Sequence, residues 1–305
     1  MNQKKFQIDF SNSKYFPDNV GELFKKYGVV LIKNLLNSEK SRSEPDTLKI
    51  FHSALYFYRQ IASKLSIKTK NLNNLNELDF YVKSLEKIDH QAGLEVQKLI
   101  SKSGAMMNVS NNAELNNIAS NLLGIKKNNL LLESFGNFIP NIPSSSSRLY
   151  TWHSENHWLP YRRRFVNCWV PLFRRKKIYN GTMGVKPFSH NESHLFYEYQ
   201  GYEKNELTKK TKKKSFTLKR ELFHYEVLEN KKFDTVFLDA DDGDVVFFDQ
   251  NLLHCSELNL GKKISYLYNN RFFNTEKDLT ISSNLNLRPY TSESAKIGRK
   301  LNIKN

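Results

Sequence analysis

From residue 128 onward the chain breaks into short apolar or alternating segments separated by turn residues, and this spacing constrains the fold more than any other feature. The segments are 129–135, 147–153, 165–172, 182–186, 235–239, 244–249 and 262–273. Runs this short, bounded by turn chemistry, suit antiparallel strands closed into a sandwich or barrel. The first 127 residues read differently. Residues 19–26 predict a short helix, and Gly28 leads into the buried strand Val29-Val30-Leu31-Ile32. From about 45 to 123 apolar residues recur at helical spacing, as in Leu48, Phe51, Leu55, Tyr58 and Ile61 after Ser43, Glu44 and Pro45. A second helical stretch covers about 76–103. Asn111 or Asn112 is placed to cap a third, which runs through Leu123 and stops at Gly124. Helices in front and strands behind give an α+β layout.

Composition narrows the class. An apolar fraction of 39% with 13% aromatics supports a sizeable core. The two cysteines, Cys168 and Cys255, are too few for a disulfide framework and suit a reducing compartment. The opening MNQKKFQIDF has no apolar run like a signal peptide, and no stretch is apolar enough to insert in a membrane, so a cytoplasmic location is expected. The net charge of +16 raises the question of nucleic acid, because clustered Lys and Arg release counterions from polyanions. No zinc-finger spacing, RNP aromatic signature or heptad-plus-basic region accompanies it, so a nucleic-acid partner is not expected. A basic rim drawing in an anionic small substrate fits better. The run containing Lys209, Lys210, Lys212, Lys213 and Lys214, like Ser144–Ser147, reads as solvated loop.

Chemistry concentrates in two places. Residues 152–158 read Trp-His-Ser-Glu-Asn-His-Trp, and in a strand residues two apart share a face, so His153 and Glu155 would converge. His254 lies 101 residues later, in GDVVFFDQNLLHCSELN. Two imidazoles and one carboxylate on one side of a metal leave the opposite side open, as Fe(II) needs for a chelating co-substrate and O2. By itself H-x-E with a distant His is a weak pattern, more often that of an ordinary surface pair.

The flanking residues resolve the pattern. His153, Glu155, His157, Pro160, Arg162, Trp169, Asn180-Gly181, Pro187 and Ser189-His190 follow in the order of an H-x-D-x-H-aromatic-x-P-x-R segment, a Trp-bearing strand, an NG turn and a P-G-S-H turn. Gly243-Asp244, Phe248, His254, Ser256 and Asn259 match a later G-D-h-h-h-F…L-h-H-x-S-x-x-N segment, where h is apolar. This series resembles the phytanoyl-CoA dioxygenase-like family of Fe(II)/2-oxoglutarate oxygenases, loosely over 19–35 and well over 129–275. The resemblance implies a double-stranded β-helix core of the jelly-roll, cupin-like type with the N-terminal helices packed outside. It also implies iron held by His153, Glu155 and His254, and 2-oxoglutarate and O2 as co-substrates.

The far carboxylate of 2-oxoglutarate needs a cation in a partly desolvated pocket. The family places an Arg on the strand after the distal His. Here Lys263, Ser265 and Arg271 share one face of that strand. Lys263 with Ser265 fits the family's R-x-S spacing after a two-residue deletion, whereas Arg271 has the better chemistry, and both stay open. Ser256 and Trp169 complete the expected cofactor surroundings. Glu155 replaces the commoner Asp, which keeps a ligand and disfavours halogenation, and Phe188 stands where the family usually has Gly. His157 is open between a hydrogen-bond or substrate contact and a packed polar residue. His190 and His194 around Glu192 read as structural, and Cys255 as packed rather than reactive.

The expected organisation is one oxygenase domain over 1–305: a mostly helical part with the first strand (1–127), the β-helix core (128–275) with a basic insert at about 190–233, and a tail (276–305). The expected activity is hydroxylation of a small or carrier-linked metabolite with release of succinate and CO2. Two alternatives remain at this stage: a cupin-like metal enzyme that does not use 2-oxoglutarate, and a non-catalytic basic binding module.

Overall fold

The computed structural model describes residues 1–10, 19–36, 45–68, 72–132, 137–145, 150, 152–155, 164–192, 196–199, 224–227 and 232–274. His157, Pro160, Arg162, His194, the lysines of 209–214 and the tail from 276 lie outside them.

The chain opens with strand β1 (Gln7–Asp9), helix α1 (Val20–Tyr27) and strand β2 (Val29–Lys33). Helix α1 ends because Gly28 turns left-handed at φ 73° and its N–H closes back onto the Phe24 carbonyl. The chain then reverses directly into β2. Helix α2 (Asp46–Lys64) starts after Pro45. Its buried stripe runs through Ile50, Phe51, Ala54, Leu55, Tyr58 and Ala62. This is rotated from the expected one, since Leu48 is 40% exposed and the small Ala54 and Ala62 face the core instead.

The predicted 76–103 helix is two helices, α3 (Leu75–Ile88) and α4 (His90–Ser101). Asp89 separates them: its side chain accepts the Ala92 N–H and caps α4. Helix α5 (Gly104–Ser110) is capped by Ser103, and α6 (Ala113–Leu123) by Asn112 with left-handed Gly124 at its end.

The remaining elements are strands: β3 (Leu130–Leu132), β4 (Asn137–Asn141), β5 (Phe165–Leu172), β6 (Met183–Val185), β7 (Phe196–Tyr199), β8 (His224–Val227), β9 (Val236–Phe237), β10 (Val245–Asp249), β11 (His254–Ser256) and β12 (Ser265–Asn274). The larger sheet has the order β1-β2-β10-β5-β12-β3, with β4 also paired to β12. The smaller has the order β11-β6-β9, and β7 pairs with β8 apart from both.

Two apolar clusters show how the layers stack. On β5, Val166, Cys168, Val170 and Leu172 face one way, into a cluster shared with α2, α3, α4 and α6. Trp169 faces the other way, into a cluster with Val246 and Phe248 of β10, Met183 and Val185 of β6, Val236 of β9, Leu238 and Ala240. Strand β5 is therefore buried on both faces, which is why its sequence is apolar at every position but Asn167 rather than alternating. The second cluster is the space between the two sheets. The fold is α+β, a double-stranded β-helix with helices packed against the outside of its larger sheet.

Candidate active site

The larger sheet and the small one meet around His254, at the start of β11. Residue 153 forms an isolated antiparallel bridge with it: the His153 N–H donates to the His254 carbonyl at 3.0 Å, and the His254 N–H donates back at 2.9 Å. Paired residues project to one face, so the two rings lie side by side with centroids 4.2 Å apart. The strand expected over 147–153 is, among the described residues, this single bridge. Glu155 reaches the same point because the chain leaves the ladder: its N–H donates to the Gln250 carbonyl at 2.9 Å. The same Gln250 side chain accepts the Phe165 N–H at 2.8 Å, tying the 153–155 segment to the start of β5.

The residues His153, Glu155 and His254 are 5%, 7% and 6% exposed. Glu155 Oε1 lies 3.7 Å from His153 Nε2 and 3.5 Å from His254 Nε2. One donor atom from each residue falls within 4.8 Å of the others, a group that could hold a metal ion. Ligands about 2.1 Å from an ion sit about 3 Å apart at right angles, so Glu155 needs to close on each histidine by well under an ångström. The tautomer of His254 is fixed as well. Its Nδ1 lies 2.9 Å from the Leu252 carbonyl, which only accepts, so Nδ1 carries the proton and Nε2 presents its lone pair.

Electrostatics hold the set in its ligating form. Burial drives the Glu155 carboxyl upward, but the Arg271 guanidinium and the two imidazoles outweigh it and keep the group well below the usual carboxylate range. Arg271 Nη2 donates to Glu155 Oε2 at 2.6 Å, leaving Oε1 turned toward the histidines. Burial, with His153 alongside, lowers the His254 pKa against the pull of Glu155, which favours the neutral imidazole. Phe248 packs on the His254 ring at 4.6 Å and supplies an apolar wall.

The other predicted site residues fall in distinct places. Lys263 is exposed to solvent, and its carbonyl accepts from Asn259 Nδ2 at 2.9 Å. Ser265 and Arg271 both face the barrel interior, at opposite ends of the β12 row Ser265, Leu267, Asn269 and Arg271. The alternate residues Tyr266 and Tyr268 face the helices, where Tyr266 donates to Asp79 and the Tyr268 hydroxyl meets Ser110. Ser256 is half-buried opposite Met183, two residues from His254 along the interior face. Trp169 lines the interior wall. Cys255 points away, buried, its Sγ 3.6 Å from Glu257 and its thiol pushed up by burial.

Several motif residues build the frame. Asp244 is buried and accepts from the Asn34 and Asp241 N–H groups and from Lys33, locking the turn before β10. Asn259 spans Asn141 and Lys263 carbonyls and shapes the turn into β12. His190 Nε2 meets the Lys25 carbonyl at 3.0 Å, a structural contact. Phe188 takes the left-handed conformation at φ 71° that glycine favours, with its ring against Tyr27 at 5.1 Å. Sequence reasoning missed Lys176, which is 0% exposed despite its neighbours Arg174, Arg175 and Lys177. Four consecutive cations read as a solvated surface. The one hint is position: two residues after Arg174, on a segment that must cross back toward the NG turn.

A buried two-histidine, one-carboxylate group at the seam of a double-stranded β-helix defines a non-haem iron oxygenase type of protein. The phytanoyl-CoA dioxygenase (PhyH) family model matches residues 24–265, most of the chain, and the protein belongs to that family. It is a 2-oxoglutarate-dependent non-haem iron oxygenase. Solved structures agree on the fold. EvdO2 from Micromonospora carbonacea var. aurantiaca superposes with a TM-score of 0.51 at 14% identity, covering 88% of this chain and 94% of that one. The non-heme alpha ketoglutarate dependent carbocyclase SnoK from nogalamycin biosynthesis gives 0.51 at 14%, covering 86% and 85%. EctD from S. alaskensis, with 2-oxoglutarate and 5-hydroxyectoine, gives 0.51 at 15%, covering 87% and 80%. Among curated proteins none matches significantly. Among the described residues no helix is long and apolar enough to cross a membrane.

Proposed function

We propose that the protein hydroxylates a small or carrier-linked metabolite, with His153, Glu155 and His254 holding Fe(II). The observation that supports this most directly is the convergence of His153 Nε2 and His254 Nε2 on buried Glu155 Oε1, at 3.7 and 3.5 Å, in one group of potential metal ligands. The donor chemistry fits the ion: two imidazoles, that of His254 with its pKa lowered, and a carboxylate held ionised, with an apolar wall behind. When bound, iron supplies the open positions for the keto-acid end of 2-oxoglutarate and for O2. The balanced reaction is substrate C–H, 2-oxoglutarate and O2 giving C–OH, succinate and CO2.

The chain's own contributions are positional. Leu252 fixes the His254 tautomer, Arg271 orients Glu155, Gln250 anchors the 153–155 segment, and Phe248 and Trp169 exclude water. The net charge of +16 supports an anionic substrate, drawn in by long-range attraction that salt would weaken. Anaerobic titration of Fe(II) and 2-oxoglutarate tests the reading. A metal-to-ligand charge-transfer absorption is expected that needs both components and is lost in His153→Ala and His254→Ala. Its absence from folded wild-type protein would sink the proposal.

A further inference from the structure

Lys176 lies wholly inside the protein, yet no carboxylate among the described residues pairs with it. Its Nζ has two neutral partners, Ser265 Oγ at 2.7 Å and the Gly181 carbonyl at 3.3 Å. The Ser265 hydroxyl in turn donates to the Asn180 carbonyl at 2.7 Å, so both of its roles are taken. The backbone of Lys176 is bridged to Ala240 by hydrogen bonds of 2.7 and 3.1 Å. Bridged residues project to the same face, and Ala240 belongs to the interior cluster of the barrel, so the lysine stem runs inward. Both contacts of its ammonium also belong to the interior: Ser265 sits on the inner row of β12, and Gly181 precedes β6, which pairs with the His254 strand.

The two other cations weighed for the co-substrate are placed differently. Lys263 is solvent-exposed, and Arg271 is engaged with Glu155. Along the small sheet the interior order is His254, then Ser256 opposite Met183, then the Asn180–Asn259 bridge beside which Nζ lies. Trp169, Val246 and Leu267 wall the same interior. We propose that Lys176 receives the far carboxylate of 2-oxoglutarate, with Ser265 steering its ammonium and Ser256 lying along the co-substrate between the triad and the lysine. This inference rests on the oxygenase reading above.

A buried cation without a counterion destabilises the protein that keeps it, and an apolar side chain of similar length would be more stable there. That pattern marks a functional site rather than a packing solution. Burial alone pulls the Lys176 ammonium down to about 7, so an arriving dianion would be joined by a proton near neutral pH. The groups facing Nζ are a hydroxyl and carbonyls, none of which titrates there. The neighbouring Arg175 and Lys177 turn outward to Asp239.

The test compares 2-oxoglutarate with 2-oxopentanoate, which keeps the keto-acid head and replaces the far carboxylate by methyl. Both are titrated anaerobically into Fe(II)-loaded protein at pH 7, with binding read by calorimetry and by the charge-transfer absorption. Wild type is expected to prefer 2-oxoglutarate by ~30-fold or more, the scale of a buried charge-assisted contact. In Lys176→Met that preference should disappear, while affinity for 2-oxopentanoate and for Fe(II) stays unchanged. A variant that keeps the wild-type preference overturns the assignment to Lys176 and leaves the oxygenase reading intact. Wild type that binds neither keto acid overturns both. A second measurement needs no variant: between pH 7 and 8.5 wild-type affinity for 2-oxoglutarate should fall, approaching about tenfold per pH unit, through proton uptake by Lys176. A pH-independent affinity also overturns the proposal.

Discussion

Arg271 Nη2 sits 2.6 Å from Glu155 Oε2 in a pair whose side chains are each 9% exposed. The arginine comes from β12 and the glutamate from the segment bridged to β11, so one ion pair ties the large sheet to the metal-binding edge. Removing one member strands the other charge in a low-dielectric site. Arg271→Met should therefore destabilise the metal-free protein by on the order of 3 kcal/mol. A bound Fe(II) would replace the missing positive charge beside Glu155. The rise in Tm on adding Fe(II) should then be larger in the variant than in wild type, measured by anaerobic thermal unfolding. An equal rise in both would show that Arg271 does not support the carboxylate.

Gly28 is a tight backbone position behind the metal-binding group. At φ 73° it turns α1 into β2, and a Cβ there would lie 2.4 Å from His190 Nδ1 and 2.9 Å from Leu252 Cδ1. Leu252 is the residue whose carbonyl fixes the His254 tautomer. Gly28→Ala should lower stability by about 2 kcal/mol or more through strain and overlap together. Fe(II) affinity should weaken with it. Gly93→Ala is the contrast: Gly93 lies within α4, its added Cβ would meet Leu85 at an ordinary 3.9 Å, and helix propensity should make the variant up to about 1 kcal/mol more stable. Denaturant unfolding of the two variants separates a strained turn from a permissive helix.

Much of this was legible because several elements are self-announcing. Asn112 and Gly124 bracket α6 as their chemistry predicts, and the mostly apolar segment 165–172 is a strand buried on both faces. The meeting of His153 and Glu155 was anticipated, but by the wrong geometry. Among the described residues the expected strand alternation gives way to one bridge to His254 and a hydrogen bond to Gln250, long-range contacts that local pattern does not encode. The break at Asp89 was missed because the helical period continues across it, and a cap acts through one side-chain oxygen. Lys176 was invisible for a related reason. Burial of a lysine inside a run of basic residues is decided by which strand it bridges, here Ala240, 64 residues away.

Glu77 gives a pH test far from the site. Its buried carboxylate resists the effect of burial through Arg59, at 2.7 and 2.8 Å, and the Asn73 and Leu72 N–H groups, and its pKa is lowered. A carboxylate lowered on folding contributes stability above its unfolded pKa and loses it as pH falls through the folded value. Glu77→Gln should cost about 2 kcal/mol at pH 7 by leaving Arg59 without its counter-charge. The difference between variant and wild type should narrow below pH 4, and a constant difference across that range would exclude this origin.

Lys176 predicts the opposite limb of the stability curve. In the metal-free protein its pKa falls to about 7, below the unfolded lysine value. The unfolded chain then binds more protons than the folded one between about pH 7 and 10.5, so this residue adds stability as pH rises, with a slope approaching about 1.4 kcal/mol per pH unit. Lys176→Met replaces the ammonium with an apolar end on a stem of similar length, which removes both the slope and the desolvation cost. At pH 7 the variant should unfold at higher denaturant than wild type, and by pH 10 the two should converge. A variant less stable than wild type at pH 7, with parallel profiles, would mean that the ammonium is satisfied where it lies and is not held in reserve for an anion.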